Sequence, residues 1–487
     1  MKLTHITIAL SAVIFMSACG KIDEFGNINQ NPGSTNMPNP SALLTNVLAS
    51  LGNDSWDAAV TSSQGLTTIC GFYCQYFSET LYTELSTYSR PNLNWDAYYA
   101  GRLYDLQIII NYNSDPLTAS DASVYGSNNN QIAIARILKV YLFSLLTDCY
   151  GDLPYFGALK ADNGIVAYDA QEKVYEDFFK ELGEAVTQFD NGRSPLGDIF
   201  FNGDLTMWRR FANSLHALLA LQLSRIDESL GKTEFNNALT APGGVLEGGV
   251  NAELKFPGVN YQNPVYNYHL YPPYRIAAAQ SMTDWLLNHH DSRQNAYATS
   301  SLGFPYGLTR DSAVNFGNTN TDWAKILKGQ NMTASDPFPI ILDAEVYLAR
   351  AEAAQIGWTK EDVSNMYEQG IEESWKYWGV YSDTDFEFYM AQPAVALTGT
   401  NNIQKICEQE WVAHYPNGLR GWDVWRRSGY PVLTPAIGST SQQIPRRIPY
   451  GSNEYNTNAQ NANAAAAKYT VNGELDSQYG RIWWDMQ

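Results

Sequence analysis

The chain has little that would support covalent or metal chemistry. Its 487 residues include five cysteines and six histidines, with no CxxC pair and no Cys/His cluster at zinc spacing. Neither HExxH nor GxSxG occurs, so the common metalloprotease and serine-hydrolase signatures are missing. Gly231-Lys232-Thr233 ends like a phosphate loop, but the glycine required five positions before Gly231 is Ile226, and the match fails. His289-His290-Asp291 is a poor metal clamp, because adjacent side chains on a helix point apart. Asp383, Asp385 and Glu387 alternate as in a calcium loop but lack its sixth-position glycine; Phe386 and Tyr389 indicate a helix start instead. Many Asp/Glu pairs could be imagined as a glycosidase dyad, yet sequence does not fix their separation. No enzyme, cofactor or metal is expected. Basic residues are scarce as well: 31 Lys and Arg against 50 Asp and Glu, a net charge of −19. Nucleic acid needs a concentrated basic surface and is not an expected partner. After the N-terminus, no apolar run approaches the roughly 18–20 residues of a membrane span.

What is present begins at the N-terminus. Lys2 precedes an apolar run from Ile6 to Met16, followed by Met16-Ser17-Ala18-Cys19. The run is too short to cross a bilayer and reads as an export signal over residues 1–18. The Met-Ser-Ala-Cys string resembles the lipobox of bacterial lipoproteins, which implies lipid attachment at Cys19. Residues 19–40 are rich in Asn, Gly and Pro, the composition of a flexible tether. The other cysteines are Cys70, Cys74, Cys149 and Cys407. They allow three pairings, a Cys149–Cys407 disulfide among them, but buried thiols are expected.

From residue 41 the pattern turns helical, with Ser41 as the expected N-cap. Residues 131–148, 171–189, 208–226 and 340–356 repeat apolar positions at spacings of three and four. Small residues such as Ala212, Ala217, Ala349 and Ala353 allow close helix approach. This predicts a mainly α fold of tetratricopeptide-like hairpins, although a 34-residue period is not kept. Between 227 and 335 the helical signal breaks up amid GG, NP, PP and GN steps, which predicts a loop-rich insertion. Aromatic residues are abundant, with 32 Tyr, 13 Trp and 19 Phe. Tyrosine offers a flat apolar face and a polar tip, suited to wet binding surfaces as well as to helix packing.

Six segments, in order, resemble the SusD/RagB family of surface lipoproteins: TDCYGDLPYFGAL (147–159), YDAQEKVYEDFF (168–179), MWRRFANSLHALLALQLSRI (207–226), ILDAEVYLARAEAA (341–354), WDVWRRSGYP (422–431) and IPRRIPYGSNEYN (444–456). The Arg426-Arg427 and Arg446-Arg447 pairs resemble an Arg-Arg-containing SusD-like subgroup. Read from their own chemistry, Gly151 is a helix C-cap and Pro154 a stop. The four arginines are expected to brace Trp422 and Trp425 and to pair with Asp423, Glu408 or Glu454, or else to hold an anionic ligand.

The resemblance implies a SusD-like fold over residues 41–487. Its helical scaffold would cover about 41–226 and 336–380, the insertion about 227–335 and a closing region about 381–487. It further implies a nutrient-binding outer-membrane lipoprotein, lipid-anchored and facing outward, that closes as a lid over a SusC-like TonB-dependent barrel with an oligosaccharide or peptide held between. Asp23 and Glu24, just after the lipidated cysteine, resemble the signal that sends such lipoproteins to the cell surface. Contact with the membrane would be through the lipid alone. Candidate ligand contacts fall in two loop stretches, Tyr88, Arg90, Asn92 and Trp95, and Tyr266, Tyr268, Tyr271 and Tyr274. Sugar C–H faces would stack on the rings, with Asn and Arg bonding hydroxyls. The alternatives are a structural transporter subunit without ligand affinity, or a surface glycan hydrolase.

Overall fold

The computed structural model describes residues 37–55, 65–160 and 165–486. The expected signal peptide, Cys19, Asp23, Glu24 and the tether up to residue 36 lie outside them. Residues Pro40–Gln487 form one compact unit. We number its principal helices α1 Pro40–Ser55, α2 Leu66–Tyr73, α3 Leu103–Ser114, α4 Asn128–Tyr150, α5 Gln171–Gln188, α6 Leu205–Gln222, α7 Glu228–Thr240, α8 Asp343–Gln355, α9 Val363–Tyr377, α10 Asn402–Ala413 and α11 Gly418–Ser428.

Successive helices pack pairwise, α3 on α4, α4 on α5, α5 on α6, α6 on α7 and α8 on α9. This is the stacked-hairpin scaffold that apolar spacing predicts. In α5 the inward face is Val174, Phe178, Leu182 and Ala185, all fully buried. Helix α4 ends where expected, at Gly151 with φ 83°. A Cβ there would also collide with the Tyr469 hydroxyl, so this position needs glycine for its backbone and for its neighbour.

The helix boundaries differ from expectation in three places. Helix α1 starts at Pro40, whose fixed φ suits a first turn, so Ser41 lies inside the helix and does not cap it. Residues 338–341 form a strand before α8 begins. Residues 228–240, expected to be loop, form α7, capped by Asp227, which accepts from the Leu230 N–H at 3.0 Å. Its buried face is only Gly231, Phe235 and Ala238, too sparse to stand out as a period. Gly231, from the false phosphate-loop match, sits where a Cβ would lie 2.9 Å from the Ala220 carbonyl oxygen.

The remainder of the insertion is turns, short helices and two small antiparallel sheets. Strand β1 (Phe77–Glu79) pairs with β3 (Ile276–Ala278), and β2 (Ala252–Leu254) with β4 (Phe338–Ile341). The closing region returns to the body through α11, where Gly418 lies against the backbone of Thr67 and Gly71 in α2. Five tryptophans, Trp208, Trp375, Trp411, Trp422 and Trp484, are fully buried.

Candidate ligand-binding face

The β1–β3 ladder places two loops side by side. Beyond the register Glu79↔Ile276, the Thr80 N–H donates to the Arg275 carbonyl at 2.9 Å and its hydroxyl to the Tyr274 carbonyl at 2.6 Å. On the other side of β3, the Ala278 N–H donates to Ala324 and its carbonyl accepts from Phe304. Residues 80–82, 271–275 and 323–325 therefore converge.

Their side chains form two cation–aromatic clusters, one around Tyr82 and one around Lys325, which together make the candidate face. The Tyr82 ring, 39% exposed, lies under two guanidinium groups, Arg275 at 5.0 Å and Arg310 at 4.7 Å. The Lys325 ammonium stands over both Trp323 (5.3 Å) and Tyr274 (5.7 Å). Tyr271, three residues before Tyr274 in the same loop, is 76% exposed. Such rings, pre-positioned by cations, can stack on an apolar ligand face while the cations bond its oxygens. Below this surface, burial pushes His269 down to about 4, so it is neutral at physiological pH, with one ring nitrogen 3.2 Å from the Ile326 carbonyl.

The two predicted stretches enter different surroundings. Of the second, Tyr271 and Tyr274 belong to the face. Tyr268 is committed to the backbone, since its hydroxyl donates to the Ile276 carbonyl (3.0 Å) and accepts from the Ile276 N–H (2.7 Å). Tyr266 is half-buried against the core. The first stretch clamps the closing region. Tyr88 and Trp95 are each 4% exposed and present no open ring to a ligand. The Tyr88 hydroxyl accepts from the Ala436 N–H (2.9 Å), and the Trp95 indole donates to Glu454 (2.9 Å). Arg90 pairs with Asp476 (2.8 Å), and Asn92 bonds the Ser452 N–H and hydroxyl. The sequence reading missed Tyr82, Arg275, Arg310, Trp323 and Lys325. They are dispersed along the chain, and only tertiary contacts gather them: the β1–β3 pairing for Tyr82 and Arg275, and the Ala278–Ala324 bond for Trp323 and Lys325.

The four closing-region arginines brace. Arg426 lies 3.6 Å from the centre of the Trp422 ring, donates to Asp423 (2.6 Å) and to the Asp148 carbonyl (2.7 Å). Arg427 bridges Glu352 and Glu410, Arg446 pairs with Asp485, and Arg447 with Asp476 (2.5 Å). Asp423 is thus a partner as expected, whereas Glu408 bonds Gln404 and Glu454 bonds Trp95 and Tyr168. Glu352, Cys407 and Glu410 are close enough to suggest a metal site, but the Arg427 guanidinium already occupies both carboxyl groups. Asp291, the third residue of the His-His-Asp string, is held by Arg293 and by the Tyr389 hydroxyl (2.8 Å).

Against known families, residues 32–451 match a SusD-like model described as starch-binding and associating with the outer membrane. The chain belongs to the SusD-like family. Solved SusD-like structures have the same fold. A chitin-binding protein superposes with a TM-score of 0.77 at 25% identity, over 92% of this chain and 100% of its own. A SusD homologue from Bacteroides uniformis gives 0.77 at 23% identity, over 93% and 100%. A chitin-binding SusD homologue from Flavobacterium johnsoniae gives 0.76 at 22% identity, over 92% and 98%. No curated protein matches the chain by sequence. SusD-like proteins are in general binding proteins associated with the outer membrane. Among the described residues of this SusD-like chain, no helix is long and apolar enough to cross a membrane.

Proposed function

We propose that this SusD-like protein binds an oligosaccharide on the face formed by Tyr82, Tyr271, Tyr274 and Trp323 and delivers it, as a lid, to a SusC-like TonB-dependent barrel. Anchorage would be through lipid on Cys19, with the body facing outward. The observation that carries the ligand reading is the exposed Tyr82 ring under two guanidinium groups, with half-buried Tyr274 and Trp323 under Lys325 and the exposed Tyr271 in the same loop as Tyr274. Flat rings beside hydrogen-bond donors suit sugar rings, whose C–H faces are apolar and whose edges are hydroxyls. The chitin-binding names of two structural relatives favour an oligosaccharide over a peptide.

Calorimetry with the full chain in detergent, titrated with chito-oligosaccharides, malto-oligosaccharides and mixed peptides, tests the reading. A saturable saccharide signal is expected, weakened about tenfold or more by Tyr82→Ala or Tyr271→Ala, a loss of roughly 1.4 kcal/mol. Saccharide binding untouched by both substitutions would remove this face from the mechanism. Absence of any binding, with import still lost on deletion, would favour a purely structural subunit.

A further inference from the structure

The closing region encloses a second open cleft, of about 690 Å³, between α11, the loop 432–446 and the segment 468–481. Its walls include Trp425, Gln443, Arg446, Lys468, Tyr479 and Arg481. Among the described residues no carboxylate lines it, although the chain carries 50 acidic residues against 31 basic ones. Two other clefts have the mixed lining that such a composition leads one to expect. The groove over α3–α5 sets Asp177 and Glu181 beside Arg136 and Lys139, and the pocket at β2–β4 sets Glu253 and Asp336 beside Lys255 and Lys328.

The cations are held from behind. Asp485 takes both Arg446 and Arg481 (3.2 Å to the latter), and Asp152 takes Lys468. Three positive groups thus face two buried carboxylates, which leaves one positive charge in excess at the cleft. Arg446 lies 4.7 Å over the Trp425 ring, fixed by stacking as well as by its ion pair. The Arg481 and Lys468 side chains remain 45% and 58% exposed, so their donors reach solvent inside the cleft. A planar guanidinium matches a carboxylate or sulfate edge, and Trp425, Tyr479 and Gln443 supply a ring face and an amide for the sugar that carries it.

We propose that this cleft is a second binding site, selective for a saccharide unit bearing an anionic group. The proposal rests on the saccharide-binding reading above and adds the ligand's charge class. One loop separates the cleft from the tyrosine face: Leu433, Pro435 and Gln443 line the cleft, while Gly438 of the same loop donates to the Gly307 carbonyl, three residues before Arg310.

The test is calorimetry of the full chain in detergent with oligogalacturonate, a sulfated galactan oligosaccharide and a neutral galactan oligosaccharide of equal length. At least one anionic probe is expected to bind about tenfold or more tighter than the neutral one. It should lose about tenfold in the Lys468→Gln/Arg481→Gln variant and weaken with added salt. Which anionic probe wins distinguishes carboxylate from sulfate. Equal binding of charged and neutral probes, or an anionic affinity unchanged in the double variant, overturns the cleft proposal and leaves saccharide binding standing. If no saccharide of any charge binds, both fall.

Discussion

Replacing Glu79 with glutamine should stabilise the protein at pH 8 and do little at pH 4.5. Glu79 ends strand β1 just below the aromatic face and is 8% exposed. Burial raises its carboxyl from 4.5 to about 7, although the Ser86 N–H (2.7 Å) and hydroxyl (3.0 Å) both donate to it and partly offset that rise. Because the folded value is the higher one, folding favours the protonated form. That contribution is complete below pH 4.5, where folded and unfolded chains are both protonated, and it is lost as pH rises through 7. At about 1.4 kcal/mol per tenfold change in the proton equilibrium, the rise amounts to roughly 3 kcal/mol. Glutamine is neutral throughout and keeps an oxygen to accept from Ser86, so it should gain most of this at pH 8. Urea unfolding of the two proteins at pH 4.5, 6 and 8 measures the difference, and carboxylates common to both cancel. A stability difference that stays flat across this range, or that shrinks as pH rises, would refute the assignment of Glu79 as a buried, proton-holding carboxyl.

Three further outcomes are expected. Arg427→Met should cost about 3–5 kcal/mol, because it strands Glu352 and Glu410 in the core without their cation, and adding Glu410→Gln should recover part of the loss in denaturant unfolding; a change below about 1 kcal/mol would contradict the burial of this cluster. Cys70, Cys74, Cys149 and Cys407 are fully buried free thiols, Cys70 and Cys149 with sulfurs 3.7 Å apart. An aromatic disulfide reagent should leave all four unmodified in the native protein and titrate them in urea, and rapid native reaction would show them accessible. Cys19→Ala should release the protein from sedimented membranes, whereas full retention would exclude the lipid as its anchor.

Helices α4, α5 and α6 were legible in the sequence because each buries a wide stripe of large apolar residues against neighbours on both sides, and α8 through Val346 and Leu348 among closely spaced alanines. Helix α7 was hidden for the opposite reason: one glycine and two other residues are all that it buries, with Leu230 and Leu239 only half-buried beside them. The false phosphate-loop match fell there because a glycine needed for close helix packing looks, in sequence, like a glycine needed for a phosphate. The candidate site was legible only in part, as the cluster of tyrosines at 266–274. Tyr88 and Trp95 carry the same residue chemistry as Tyr271 but face the opposite way, into the closing region. No local pattern separates the two, since burial at 88–95 depends on Glu454 and Ala436, more than 340 residues away in sequence. Tyr82, Arg310 and Trp323 are likewise brought near β3 only by tertiary contacts, which leave no periodic trace in the sequence.

The closing-region arginines show why residue type alone misjudges a site. A run of arginines beside tryptophans has the composition of an anion-binding pocket, and buried guanidinium groups at Arg426, Arg427 and Arg447 are costly to desolvate. Each is matched by an acid: Arg426 by Asp423 one turn earlier on the same helix, Arg427 by the Glu352–Glu410 pair and Arg447 by Asp476. Burial and the neighbouring Glu352 push Glu410 well above the usual carboxylate range, with Arg427 pulling the other way. Satisfied networks of this kind add little net stability, but leaving any member unpaired is expensive, which penalises alternative packings of the closing region on the hairpins. Arg446 alone of the four is only partly enclosed, its side chain 12% exposed at the wall of the cleft. Together with Arg481 and Lys468 it forms the one group in this region whose charge reaches solvent with no acid in front of it among the described residues. The closing region thus buries most of its arginines in ion pairs, and the few that remain at the surface are where an anionic ligand would be felt.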